Sequence, residues 1–156
     1  WLIALVALIA VSAGQVGNYK SRSSVSNSDV INCDSCNTIY LKLDQDKFDE
    51  YTELDWEIEN FKVVVINGEE VMLGQPTLDV EKSSSDKFSV LIKKTSRGRD
   101  REKAQQATKE VFYTYEITDS TLTFDPYFLI EEGGKWRDQK VEIYIESAGR
   151  KNHFYR

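Results

Sequence analysis

Protein chemistry usually begins at histidine, at cysteine or at clustered carboxylates, and this 156-residue chain offers few such starting points. Its single histidine, His153, is the only base open to a Ser-His-Asp or Cys-His arrangement, and it stands in a segment with weak structural signals. The two cysteines form Cys33-Asp34-Ser35-Cys36. That spacing suits a redox pair, half a zinc site, or incidental thiols closing at most a local disulfide. A redox pair needs a helix N-terminus to lower its thiol pKa, whereas this one lies in polar sequence that runs into a strand-like segment. A structural zinc needs two more Cys or His ligands, and His153 is the one remaining candidate. Carboxylates are densest from Asp44 through Asp46, Asp49 and Glu50 to Glu53, Asp55, Glu57 and Glu59. An EF-hand loop on that register wants Asp or Asn at 48 and Gly at 49, where Phe48 and Asp49 stand. The stretch reads as a solvated acidic face between strands, with a calcium site built from two loops as the alternative. There is no phosphate-cradling glycine loop and no dinucleotide fingerprint. We therefore expect no catalysis, no cofactor and no metal.

Two constellations suit contact rather than turnover. Arg97, Arg99, Arg101 and Lys103 form a basic cluster in an otherwise acidic chain. Interleaved with Asp100 and Glu102 they read as a solvated helix edge, yet they are also the local charge asymmetry suited to an acidic partner or anionic head groups. Tyr127-Phe128-Leu129-Ile130, followed by Gly133-Gly134-Lys135-Trp136-Arg137-Asp138-Gln139, is aromatic-rich around a loop. It is a candidate contact patch through Tyr127, Phe128, Trp136 and Arg137. The competing reading stacks Trp136 on Arg137 and pins the loop to a sheet.

The elements that must position these residues emerge from composition and pattern. A net charge of −6 and a pI near 4.9 argue against a phosphate-backbone binder. Hydrophobic content of 40% with 12% aromatics is too rich for a disordered chain. The chain opens on Trp1-Leu2-Ile3-Ala4-Leu5-Val6-Ala7-Leu8-Ile9-Ala10-Val11 and carries no charge before Lys20. Residues 1–17 are either part of a transmembrane helix, short of the ~20 residues a full span needs, or a signal-peptide h-region with Val11-Ser12-Ala13 as its cleavage site. Either reading carries the rest of the chain across a membrane. Residues 18–37 are rich in Ser, Asn and Asp and read as a polar linker.

From Thr38 onward period-two alternation predicts strands. Ile39, Leu41 and Leu43 point inward; Phe61, Val63 and Val65 alternate within an apolar run that suits a central strand; Asn67-Gly68 turns a hairpin. Leu78 and Val80, then Phe88, Val90 and Ile92, line further strands on either side of Ser83-Ser84-Ser85-Asp86. Val111, Tyr113, Tyr115 and Ile117 make the next, followed by Leu122 and Phe124, and then Val141, Ile143 and Ile145. The exception is Asp100 to Glu110, where Asp100 suits an N-cap, Glu102 the first turn, and Ala104, Ala107 and Val111 form a narrow stripe able to lie on a sheet. The expected fold is mainly β, an antiparallel-rich sheet or a sandwich- or solenoid-like domain over 38–156, with one short inserted helix and an apolar membrane helix before it.

The order Thr95-Ser96-Arg97-Gly98, Ala104 and Ala107, Tyr113-Thr114-Tyr115, Leu122-Thr123-Phe124, Asp125-Pro126-Tyr127-Phe128 and Lys135-Trp136-Arg137-Asp138-Gln139-Lys140-Val141 resembles the C-terminal region of long PspC-domain proteins of the Bacteroides group. The resemblance is strongest from Ile39 to Ile145, and the apolar opening resembles the last membrane segment before that region. It implies a phage-shock-protein C-like envelope-stress protein held in the bacterial inner membrane, its β domain on the periplasmic side, with other envelope-stress proteins as partners and no nucleic acid. The PspC domain itself is not in this chain, so no residue of that domain carries over. After Ile145 the chain reads Glu146-Ser147-Ala148-Gly149-Arg150, where the resemblance leads one to expect a Pro-containing turn and more strands. We therefore expect a piece of a longer protein, truncated at its C-terminal end. The competing function is a secreted or surface β domain, adhesin-like or ligand-binding, released by cleavage after Ala13.

Overall fold

Phe88, Val90 and Ile92 alternate with less buried neighbours, and that period of two builds an 11-residue strand with one side in the core. In chain order the computed structural model has β1 (Ser21–Ile31), β2 (Tyr40–Leu43), β3 (Glu57–Ile58), β4 (Phe61–Ile66), β5 (Glu69–Gly74), β6 (Thr77–Lys82), β7 (Phe88–Gly98), α1 (Arg101–Lys109), β8 (Val111–Phe112), β9 (Tyr115–Thr118), β10 (Thr121–Phe124), β11 (Phe128–Ile130) and β12 (Lys140–Ser147). It describes residues 19–31, 38–47, 57–58, 61–66, 69–82, 87–130 and 134–147. The apolar opening, Cys33 and Cys36, the Asn67-Gly68 and Ser83–Asp86 turns and His153 lie outside the described residues.

The first sheet runs β1-β7-β12-β6, with β1 and β12 antiparallel to β7 and β6 parallel to β12. Its register sorts the side chains. Ile92 lies opposite Ile143 and Val90 opposite Ile145, and with Val141 they face the core. On the other side Lys93 meets Glu142 at 2.9 Å and Ser89 Oγ donates to Glu146 Oε2 at 2.9 Å. The second sheet, β2-β10-β9, places Leu122 and Phe124 against that apolar side. The third, β3-β4-β5-β11-β8, adds Val111, Phe128 and Ile130. Each buried aliphatic side chain contributes about 1.5–3 kcal/mol relative to exposure. A smaller cluster of Val64, Leu73 and Tyr127 lies on the other side of the third sheet.

The inserted helix forms where the sequence predicts it. Asp100 is the N-cap, its Oδ1 accepting from Lys103 N at 2.8 Å; Glu102 is in the first turn and Lys109 in the last, where each suits the helix dipole. Ala104 and Ala107 are buried against β1 and β7. The approach is close: a Cβ on Gly98 would stand 2.4 Å from Ala104 N, so only glycine fits. Beside it, Thr108 Oγ1 donates to Ala104 O at 2.8 Å and lies 2.6 Å from Ser96 Oγ. With the Thr108 proton so engaged, Ser96 is the donor of that pair.

Several expectations need correction. Residues 18–37 are not all linker, because 21–31 form β1, paired with β7 along its full length. The strand carries no hydrophobic alternation because it is a sheet edge held by its backbone ladder. Ser21 and Ser23, opposite Gly98 and Ser96, lie on the helix side, where small residues suffice. In β4 the buried residue is Val64, while Val65 is 56% exposed, so the inward phase is opposite to the expected one. Among the described residues β4 has only the two-residue β3 on one side, not a full central pairing. Leu43, Leu78 and Val80 are exposed, the latter two because β6 is an edge strand. The 111–117 run is two strands, interrupted at 113–114, where Tyr113 Oη donates to Asp125 O at 3.1 Å. The β4–β5 hairpin pairs with Ile66 opposite Glu69, as a two-residue connection requires. No helix among the described residues is long and apolar enough to cross a membrane.

Two measurements test this packing. Gly98→Ala forces the helix backbone off β7 and is expected to cost about 1–3 kcal/mol, lowering Tm by roughly 2–4 °C per kcal/mol. Ser24→Ala on the exposed edge stays within about 0.5 kcal/mol, and equal urea midpoints for the two variants would contradict the contact. Burial, then the Asp125 charge, raises the pKa of Tyr113; burial, then the hydrogen bond to the Asp29 carboxylate, raises that of Tyr115. Both folded-state values lie above the ordinary tyrosine value near 10. Their contribution is whole below pH 10 and is lost as pH rises beyond it. The urea midpoint should therefore fall above pH 10 in the native chain, and fall less in the Tyr113→Phe, Tyr115→Phe double variant.

Candidate interaction site

The segment 134–139 has no regular structure of its own, so its shape is set by the bonds that tie it to the end of β7. Gln139 is 1% exposed. Its Nε2 donates to Lys135 O at 2.9 Å, and its Oε1 accepts from Arg137 N. Arg97 N donates to Arg137 O at 2.7 Å. Asp138 adopts φ 53°, a left-handed conformation that Asp tolerates better than most residues. Its carboxylate lies 2.8 Å from Arg97 Nε and 3.6 Å from Lys140 Nζ. The Arg97 contact is a charge pair: its buried Nε is not aligned for a hydrogen bond. Trp136 packs against the core, and Tyr19 Oη reaches its carbonyl at 3.4 Å.

This arrangement settles the location of each residue singled out from sequence. Arg97 and Arg137 are half-buried and joined through the backbone, while Arg99, Arg101 and Lys103 are exposed around the start of α1. Arg99 Nε lies 3.6 Å from Asp100 Oδ2. The Asp100 carboxyl is held below its ordinary pKa, first by the Lys103 backbone N–H and then by the Arg99 charge. Tyr127 and Phe128 are not a contact patch. They are 5% and 2% exposed, because β11 inserts between β5 and β8 and turns Phe128 into the core. The Phe128 ring lies across Gly74, where an added Cβ would come 2.1 Å from Cζ. Tyr127 joins Val64 and Leu73, with Lys62 Nζ 5.8 Å from its ring centroid. The acidic stretch is represented by Asp44, which accepts from Lys47 N at 3.4 Å, and by exposed Asp46; Lys47 itself pairs with Asp125 at 2.7 Å. Among the described residues no three His, Cys, Asp or Glu converge as a metal site.

Between α1 and the pinned segment lies a shallow groove of about 290 Å³, lined by Lys103, Gln106, Ala107, Glu110, Lys135 and Arg137. Three cations and one carboxylate there favour an anionic ligand, held by charge and by the Arg137 fork. A second cleft of about 540 Å³ lies on the other side of the segment, between Pro76, Trp136 and Glu142. Sequence reasoning missed Gln139. Its place between Asp138 and Lys140 just before a strand did not distinguish it from a solvated side chain.

Residues 66–148, more than half of the chain, match a family model described as the toast-rack domain found in some PspC proteins, at the C-terminus. The matched span runs from the end of β4 past β12 and contains α1, the pinned segment and the groove. No curated protein and no solved structure matches.

Gln139→Leu removes two buried hydrogen bonds and leaves their partners unpaired, an expected loss of about 2–4 kcal/mol read as a lower urea midpoint. Gln139→Glu keeps an acceptor for Arg137 N but carries a buried charge, so its folded-state pKa is raised. That variant is least impaired below the ordinary Glu pKa of about 4.3 and worsens as pH rises through the raised value. A pH-independent deficit between pH 4 and 7 would contradict the burial of this amide.

Proposed function

The chain belongs to the toast-rack family found at the C-terminus of some PspC proteins, and from that premise we propose that it is the extracytoplasmic part of a membrane-anchored envelope-stress regulator. It acts by contact with protein or lipid and not by turnover. The carrying observation is the family match over residues 66–148, which contain α1, the pinned segment and strands β5 to β12. The roles of the polar side chains support the same reading. Gln139, Ser96, Thr108 and Tyr113 all bond backbone or one another in ways that hold the scaffold. The exposed cations lie on that scaffold, a geometry that suits recognition.

In this reading the apolar opening, Trp1 to Val11, serves as the tether, and the β domain faces the periplasm from the inner membrane. An event at the domain alters a membrane-borne partner by mass action, which requires the domain to prefer one state of that partner over the other.

The test is deletion of 66–148 from the full-length gene, with the stress-dependent transcriptional response measured after a membrane-perturbing challenge at matched protein level. A severalfold change in induction is expected, and an unchanged response would sink the regulatory role. N-terminal sequencing of the mature protein tests the tether: an intact apolar opening is expected, whereas a new terminus after Ala13 would favour the secreted, ligand-binding alternative.

A further inference from the structure

Strand β1 begins at Ser21, directly after Lys20, so the chain leading from the apolar opening joins the first sheet at a defined corner. The register identifies that corner. Ser21 lies opposite Gly98 and Arg22 opposite Arg97. Immediately beyond Gly98 come Arg99, Arg101 and Lys103 at the start of α1. The pinned segment brings Lys135 and Arg137 to the same place, since Arg97 N bonds Arg137 O and Lys103 shares the groove with both. Eight cations, counting Lys20 and Arg22, therefore lie around the end of the sheet where the domain meets its leading segment, Arg22 and Arg97 on the side facing away from the helix, in a protein of net charge −6. The carboxylates among them are Asp100, Glu102, Glu110 and Asp138. Asp100 is engaged by the helix cap, and Asp138 by Arg97 and Lys140.

From Val11 to Ser21 the extended chain spans at most about 35 Å. A tether of that length holds the corner within a short distance of any bilayer that contains the apolar opening. The acidic remainder of the domain is repelled by anionic head groups and the basic corner is attracted, so charge alone orients the domain. We propose that this corner, formed by the start of α1 and the Lys103–Lys135–Arg137 groove next to the start of β1, is a docking surface for an anionic phospholipid bilayer. The proposal rests on the tether reading above. Docking fixes the domain's orientation to the membrane and turns the rest of the sheets outward.

The test uses the full 156-residue chain reconstituted with phosphatidylcholine vesicles and with vesicles containing three parts phosphatidylglycerol in ten. Flotation with pure phosphatidylcholine tests the tether alone, because that surface carries no net charge. Hydrogen exchange at residues 97–103 and 134–138 tests the docking. Those amides should exchange at least roughly fivefold more slowly with phosphatidylglycerol, and the difference should vanish in 1 M salt, where the Debye length is about 3 Å. Arg99→Gln, Arg101→Gln and Lys103→Gln together should abolish the protection while leaving the urea midpoint unchanged. Equal exchange on both lipids in a chain that floats on both overturns the docking and leaves the tether standing. A chain that floats only with phosphatidylglycerol, and loses flotation in the triple variant, keeps the docking and overturns the tether. Protection by polyglutamate but not by phosphatidylglycerol reassigns the surface to an acidic protein and overturns the lipid assignment.

Discussion

Burial of one side of β7 and β12 is the constraint from which the other sheets take their places. Val90, Ile92, Val141, Ile143 and Ile145 present a continuous apolar strip because the two strands pair with these residues opposite or adjacent to one another. A strip of that kind must be covered, and β10 and β11 cover it with Leu122, Phe124, Phe128 and Ile130. The rest is arranged around that contact. β1 and β6 extend the first sheet as polar or exposed edges, and β4 and β5 add a smaller cluster on the far side of β11.

The end of the same sheet solves a different problem. There β7 carries Ser96 and Gly98 where hydrophobic residues would continue the strip, and the helix comes in close enough to need both. Glycine removes the obstruction, and the Ser96–Thr108–Ala104 hydrogen-bond chain satisfies the hydroxyls that the contact buries. With the helix seated, the 134–139 segment closes over the strand end through Gln139 and the Arg97–Arg137 backbone bond. The basic surface is a product of this closure. Cations from β1, β7, α1 and the segment share one corner because the backbone ladder and one buried amide bring them together.

Membership of the toast-rack family fits a scaffold of this sort. Short strands in three sheets, tied by local bonds, make a body that holds a surface in place and does not itself have to rearrange. The polar groups with perturbed titration serve the scaffold too: Lys94, whose pKa burial lowers, donates to Val111 O at 2.9 Å, and Tyr113 and Tyr115 hold turns and edges.

The dominance of strands, the helix at 100–110 with its Asp100 cap, and the inward residues of β7, β10 and β12 were all legible from residue type and spacing. Each depends on local chemistry: a capping carboxylate, a period of two, a run of alanines at helical spacing. The serine-rich β1, the burial of Tyr127 and Phe128, the inverted phase of β4 and the role of Gln139 were decided only by tertiary structure. A strand at a sheet edge is held by backbone hydrogen bonds that any sequence without proline can make, so its side chains carry no sign of it. An aromatic run shows that a residue prefers burial, but only the strand inserted between β5 and β8 shows that burial is available. The basic corner is of the same kind. The sequence alone determined that the charges exist, whereas their meeting beside Ser21 required the register of β1 on β7, because Coulomb attraction and repulsion depend on distance in space and not along the chain.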